Sequence, residues 1–278
     1  MENSDTTCKP ICADVTFILP VYNGANYIAE TINSILSQSY QNWILLILDN
    51  CSTDDTQAIC SNFLNDARIS YIKNEYNIGL IGNLSKGINM TQTIYWCYVC
   101  HDDKFTNPSA ISRAHALLES DPTLAMVTSP LAWIDNKSKQ IADFAEPVHG
   151  KLFADDVNKL MIKRMRITYG LIMLARTELV KTFDPIVETT AIADVELFIH
   201  ISQGRNVYIY DKSHYAIRFH PSNNSMRSYK DSQRWFNLIA NKYNIVLTPF
   251  EQAIQTFNSY KLALGKRIFF LYLDWFRK

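Results

Sequence analysis

A regular alternation of apolar runs and amphipathic stretches restricts this chain more than any single motif. Val15–Val21 (VTFILPV) reads as a buried strand ending at Tyr22-Asn23-Gly24. Ile28, Ile32, Ile35 and Leu36 then share one face of a helix of about three turns. Trp43–Leu48 (WILLIL) is a second strand, and the cluster Asp49–Thr56 behind it caps and charges the next helix, which turns Ile59, Phe63 and Leu64 inward. Ile69–Lys73 is a third strand, followed by Asn77-Ile78-Gly79 and a helix through Asn83–Met90. The fourth strand lies in Tyr95–Phe105 (YWCYVCHDDKF), after which Asn107-Pro108 opens a helix with proline at its first position and Leu124–Thr128 forms another strand. Such a βαβαβαβ series builds an α/β fold, a mostly parallel sheet with helices on both faces.

The second half is less regular. Leu131–Phe144 suggests a hairpin over Asp135-Asn136-Lys137, Val157–Met165 a helix, Ile167–Leu174 a strand and Asp194–Ser202 a helix. Val207–Tyr210 and His214–Phe219 read as strands, and from Lys230 onward the pattern is helical, ending in an aromatic-rich tail. A chain of 278 residues can bury one substantial core with an appendage. Zero formal charge gives no general attraction to nucleic acid. The first residues lack a basic region followed by an apolar run, and no stretch reaches the roughly 18 apolar residues that span a bilayer, so a cytoplasmic location is expected. The six cysteines fit it. Cys97 and Cys100 lie three apart on a strand and so point to opposite faces, as small buried hydrophobes rather than a redox or zinc pair.

Chemistry concentrates where the strands end. Pro20–Gly24, Asp49–Thr56 and His101–Asp103 all follow strands of the first half, and in a doubly wound sheet those ends open on one edge, where ligands bind. No GxGxxG follows the first strand and no GxxxxGK[ST] occurs, which argues against a dinucleotide dehydrogenase and a phosphate-loop NTPase. The edge offers carboxylates instead. Asp49 can accept hydrogen bonds from a nucleobase or ribose, and Asp102 and Asp103 suit a hard divalent cation shared with substrate phosphates. Nucleoside diphosphate plus metal is the ligand class such an edge suits.

These residues resemble the family 2 glycosyltransferases, which have the GT-A fold. Ile18–Gly24 (ILPVYNG) is similar to the family's opening strand and loop, and Asp49–Asp54 (DNCSTD) to its D-D-G-S-T-D nucleotide-binding segment. Asn77-Ile78-Gly79-Leu80 with Asn83 resembles its N-x-G loop, and His101-Asp102-Asp103 its DXD-type metal motif. Further on, Asp194 in ADVEL resembles the acidic pair at a helix start that supplies the catalytic base, and Arg218-Phe219-His220-Pro221 with Ser225 resembles the R-x-H segment over the diphosphate. Asn50 and Cys51 stand where Asp and Gly are common, Cys100 replaces the first acid of the longer D-x-D-D form, and Ala193 replaces one acid of the pair.

The resemblance implies an inverting transferase that moves a sugar from a nucleotide sugar, a UDP-sugar first, to a hydroxyl of a glycan or lipid-linked acceptor, as in polysaccharide biosynthesis. It implies Asp194 as base, with Glu196 a weaker candidate. Pro20, Tyr22, Asn23, Asp49, Ser52, Asn77, Asn83, Asp102 and Arg218 would meet the nucleotide sugar, and Asp103 and His220 the Mn2+ or Mg2+ ion. His101 would be a neighbour of the metal site and Lys104 simply solvated. The layout implied is an extension at 1–13, one GT-A domain at 14–228 (nucleotide half about 14–107, acceptor half about 108–228) and a helical tail at 229–278. A silent nucleotide-sugar-binding protein and a sugar nucleotidyltransferase are the alternatives. Within residues 261–278, the six apolar residues Ile268–Leu273, flanked by Lys266, Arg267, Arg277 and Lys278, suggest either peripheral contact with the inner face of a membrane or packing in a homo-oligomer.

Overall fold

The computed structural model describes residues 13–143, 149–164, 174–186, 192–219 and 232–258. Its main sheet begins as expected. Strands β1 (Val15–Val21), β2 (Trp43–Asp49), β3 (Ile69–Lys73) and β4 (Tyr95–Tyr98) run parallel in the order β3-β2-β1-β4. Between them lie α1 (Ile28–Leu36), α2 (Thr56–Ser61) and α3 (Gly79–Met90). The sheet continues through β10 (Leu174–Arg176), β6 (Leu124–Thr128), β11 (Asn206–Ile209) and β9 (Gly150–Phe153), with β10 and β9 antiparallel to their neighbours. The expected strand at Ile167–Leu174 lies outside the described residues apart from Leu174, which opens β10.

Each strand of the first half is covered on both faces, and the period of two sorts its side chains. On β1, Val15, Phe17 and Leu19 enter a core with α1 and α4 (Ala110–Ser120), while Ile18 faces α3. The Ile18 face is shared by α5 (Ala154–Arg164), α6 (Thr177–Val180), α7 (Ala193–Ser202) and α8 (Ser232–Lys242). Helix α3 packs so closely that a Cβ on Gly87 would meet Leu48 Cδ1 at 2.6 Å and Ile18 Cγ2 at 2.7 Å. Glycine here is a spacing requirement, since real Cβ contacts do not come so near.

A second, smaller sheet stands at the carboxyl end of β4, in the order β5 (Lys104–Phe105), β12 (Tyr215–Arg218), β7 (Leu131–Ile134), β8 (Gln140–Asp143). The β7–β8 hairpin turns where expected, with Asp135 Oδ1 accepting from the N–H groups of Lys137 (2.8 Å) and Lys139 (2.9 Å). Pairing of β5 with β12 brings the chain just after Asp103 alongside Arg218. Distant parts of the sequence thus meet at one strand end.

Candidate functional site

The first two strand-end loops are knitted by side chains that accept backbone N–H groups. Asn23 N–H donates to Ser52 Oγ (2.9 Å), Gly24 N–H to Thr56 Oγ1 (2.9 Å), Ala25 N–H to Asp54 Oδ2 (3.0 Å), and Thr53 N–H returns to Asn23 Oδ1 (2.9 Å). Both turns need left-handed backbone, at Asn23 (φ 53°) and Cys51 (φ 68°). Asparagine takes that conformation readily; cysteine does so at a cost. Tyr22 and Asn23 remain exposed at the rim, above buried Pro20 and Ser52.

Asp49 does not reach that rim. It is 0% exposed, Oδ1 accepts Ser52 N–H at 2.8 Å, and Oδ2 accepts the Tyr71 hydroxyl. Both oxygens hold the loop from beneath. Asn83 is held in the same way. It is buried, its Nδ2 donating to Leu48 O (2.7 Å) and its Oδ1 accepting from Asn74 (3.0 Å). Asn50 accepts from Asn74 (3.1 Å) and Ile78 N–H (2.9 Å) and donates to Asn77 Oδ1 (2.8 Å). This amide network leaves Asn77 exposed beside Gly79, whose φ of +77° turns the chain into α3.

The β4 end joins the same edge. The His101 ring lies so near Gly24 that a Cβ there would meet its Cδ2 at 2.7 Å, and the Thr31 hydroxyl holds the carbonyls of His101 (2.9 Å) and Asp103 (2.7 Å). Asp102 is half-buried. Asp103, expected at the surface, is 3% exposed, with Oδ1 accepting Arg218 N–H at 2.8 Å and Oδ2 the Tyr215 hydroxyl at 3.4 Å. Burial, and then the Asp102 charge, push its carboxyl well above the usual range. The ligand atoms of Cys100, Asp102 and Asp103 all lie within 4.8 Å of one another. Two donors on one cation at about 2.0–2.6 Å are no more than about 5 Å apart, so this donor set fits a single divalent ion.

Arg218 is held by contacts within the protein. It is 1% exposed and its guanidinium is committed inside the protein. Nε donates to Asp102 O (2.9 Å), Nη1 to Asp135 O and Ser138 Oγ (both 2.9 Å), and Nη2 pairs with Glu30 at 2.5 Å. These bonds fasten the second sheet to α1. Lys104 is not merely solvated either, pairing with Glu30 at 2.5 Å. Burial works against the Glu30 charge, but Lys104, Ser138 and Arg218 together hold its carboxyl below the usual range. Sequence reasoning missed Glu30, because its partners are up to 188 residues away and nothing near it signals them. His220, Pro221, Ser225 and the 261–278 tail lie outside the described residues.

Asp194 opens α7, half-buried, with Oδ1 accepting Val195 N–H at 2.9 Å. A helix start favours the ionised form. Burial outweighs it here and raises the carboxyl to about 6. The Asp194 charge reaches the end of β4, adding to the upward push on the Tyr98 hydroxyl after burial and Cys100, and on the Cys100 thiol after burial, Asp103 and Asp102. Glu196 is 0% exposed, accepting Ile186 N–H (3.1 Å) and pairing with Lys242 of α8 at 2.8 Å, so it faces away from this edge.

Two half-buried carboxylates thus converge on one strand end, beside a rim of exposed polar side chains. Such an arrangement can bind a cation, present hydrogen-bond partners to a polar ligand and accept a proton. The glycosyl transferase family 2 sequence profile matches residues 16–172. A glycosyltransferase TuaG of Bacillus subtilis, described as putative in teichuronic acid biosynthesis, is 32% identical over 41% of this chain and 44% of its own length. The colanic acid biosynthesis glycosyl transferase WcaA of Escherichia coli, also described as putative, is 33% identical over 36% of this chain and 37% of its own. The alignments thus span less than half of either relative. The crystal structure of S. aureus TarS 1–349 in complex with UDP-GlcNAc superposes with a TM-score of 0.66 over 87% of this chain and 70% of that one, at 18% identity.

Proposed function

The chain belongs to glycosyl transferase family 2, and from that premise we propose that it transfers a sugar from a nucleotide sugar to a hydroxyl of a glycan or lipid-linked saccharide, with inversion. The observation that carries this reading is the group of Cys100, Asp102 and Asp103 donor atoms at the β4 end, with the half-buried Asp194 carboxylate at the start of α7 as the base. With its carboxyl near 6, Asp194 is ionised at neutral pH yet basic enough to take the acceptor's proton as the hydroxyl attacks. Asn23, Asn77 and Tyr22 form the rim for the nucleotide, with Ser52, Asp49 and Asn83 supporting their loops. Asp102, with Asp103 and Cys100 behind it, would hold Mn2+ or Mg2+. A bound cation supplies neutralisation of the departing diphosphate.

A UDP-sugar is the first donor to test, because a solved relative of the same fold was crystallised with UDP-GlcNAc. The names of the curated relatives support a cell-surface polysaccharide as the acceptor. No helix among the described residues is long and apolar enough to cross a membrane. We place the enzyme in the cytoplasm with peripheral membrane contact through residues 261–278, supported by exposed Val246 and Phe250 upstream. A thermal-shift panel of UDP, UDP-sugars, dTDP- and GDP-sugars with and without Mn2+ tests the donor reading. A ligand at 100 times its dissociation constant should stabilise by about 2.7 kcal/mol. No response to any nucleotide would sink it, and binding without donor hydrolysis or transfer would leave a silent nucleotide-sugar-binding protein.

A further inference from the structure

The strand end after Tyr98 holds a sulfur where a carboxylate would serve a hard cation. Cys100 Sγ belongs to the donor set whose atoms lie within 4.8 Å of one another, together with the Asp102 and Asp103 oxygens. Its position is held from two sides. The Cys100 N–H donates to the Tyr215 hydroxyl (3.3 Å), which also reaches Asp103 Oδ2 at 3.4 Å, so one phenol ties the thiol's backbone to the neighbouring carboxylate. Sγ lies 3.6 Å from the Tyr98 hydroxyl, and the Tyr98 ring is stacked on buried Trp96 with 12° between planes. A hydroxyl against a donor atom, itself held by packing, is how outer groups orient a ligand toward a metal. Cys97, by contrast, is fully buried in the core formed with α1 and α4.

We propose that Cys100 ligates the divalent cation through sulfur, so that this site selects a thiophilic ion over Mg2+. The proposal rests on the metal-site reading above and adds a preference that two carboxylates do not provide. Carboxylate-only sites suit Mg2+, Ca2+ and Mn2+, whereas a thiolate moves preference toward Zn2+, Co2+ or Cd2+. The cysteine proton leaves to solvent as the metal takes the sulfur.

Cobalt(II) titration in the presence of UDP tests this on the full chain carrying Cys8→Ser and Cys12→Ser, which removes the two cysteines of the N-terminal extension. Spectroscopy and calorimetry are read together. The expected result is one bound Co2+ per chain with a near-ultraviolet sulfur-to-cobalt charge-transfer band. Adding Cys100→Ser should abolish the band while Co2+ still binds, and should narrow the Cd2+ over Mg2+ preference by at least the ~10–100-fold that even an outer partner is worth. Co2+ binding that Asp102→Asn abolishes, but with no charge-transfer band, would overturn sulfur ligation and leave the carboxylate site standing. No Co2+ binding with or without UDP would overturn both. A band that survives Cys100→Ser would assign the sulfur to another cysteine and end the proposal. Cys100→Ala, compared by thermal unfolding without metal, shows whether any loss comes from the fold instead.

Discussion

The polar groups of the β1–β2 edge close on partners nearby in sequence, and those around β12 and α7 close on partners far away. Asn23 and Ser52 are 29 residues apart, Asp49 and Ser52 only three, and most of these bonds end on backbone N–H groups of the same two loops. Arg218 reaches Glu30 across 188 residues, and Glu196 reaches Lys242 across 46. The first edge is shaped by backbone conformation, the second by charges meeting from separate elements. The same residue types therefore end in different states: Asp49, Glu196 and Arg218 are buried in contacts that hold the fold, while Asp102 and Asp194 stay half-buried. An acidic residue at a strand end or helix start is thus not by itself a functional group. Its remaining exposure decides.

The largest effect should come from the carboxylate assigned to chemistry. Asp194→Asn keeps the shape and removes the proton acceptor, so turnover at saturating donor should fall by about 10²–10⁴-fold with UDP binding retained. Stability should move the other way. A carboxyl raised to about 6 makes the folded state bind its proton more tightly than the unfolded one, so its favourable contribution exists at low pH and is lost as pH rises through about 6. At pH 7 the variant should gain about 1–2 kcal/mol, discounted for partial exposure, and near pH 4 almost nothing. Wild-type activity should rise with pH through the same range. Full turnover in Asp194→Asn would return the base to the unassigned residues and break the contrast between buried and half-buried acids.

Arg218→Ala asks whether the long-range clamp is structural. Glu30 keeps Lys104 and Ser138, so the loss comes from Asp102 O and Asp135 O, which lose their guanidinium donor, at about 1–3 kcal/mol for each buried acceptor left unmatched. Urea unfolding should show that loss, and UDP affinity of the still-folded fraction should change little. A stable variant that has lost UDP binding would instead support a direct role at the diphosphate.

Lys242→Met tests a weaker tie on the same side. It removes the cation from Glu196, which is fully buried two residues beyond Asp194 on α7. A loss of about 1–3 kcal/mol is expected. Turnover should drop several-fold with the donor KM unchanged, and Lys242→Arg should recover it. Equal effects on KM and turnover would mean that the pair holds the whole domain rather than the base helix.

The contrast also explains what could be read from the sequence. The strands β1 to β4 and the helices between them follow from local period and punctuation, and β1 and β3 have the expected bounds. The edge they form was legible for the same reason, because loops after parallel strands must meet. The antiparallel insertion of β10 was not, since no local pattern says which neighbours a three-residue strand will choose. Nor was the fate of Arg218, whose R-x-H context looked functional while Glu30, Asp135 and Ser138 gave no sign of converging on it. Cys100 was visible as a substitution, but its closeness to Asp103 Oδ, through a turn and the Tyr215 phenol, was not.

The smallest expected effect tests the local side of the contrast. If backbone conformation shapes the β2–α2 loop, the residue that resists it most is Cys51, at φ 68° where glycine would be unstrained. A side chain in that region costs about 1–2 kcal/mol relative to glycine. Glycine gives back about 0.5–1 kcal/mol through the extra freedom of its unfolded chain. The contact of Cys51 Sγ with Glu75 O, at 3.5 Å and exposed, adds little to the balance. Cys51→Gly should therefore stabilise by about 0.5–1 kcal/mol, raising the melting temperature by roughly 1–4 °C. Asn23, at φ 53°, should not behave alike, because its Oδ1 accepts Thr53 N–H and Asn23→Gly leaves that donor without it. A stabilised Cys51→Gly beside a destabilised Asn23→Gly would mean that the loop is set by its backbone and stitched by its amide. Destabilisation of Cys51→Gly by more than about 1 kcal/mol would mean that the thiol, like the charges on the far side, has a partner that local reading cannot supply.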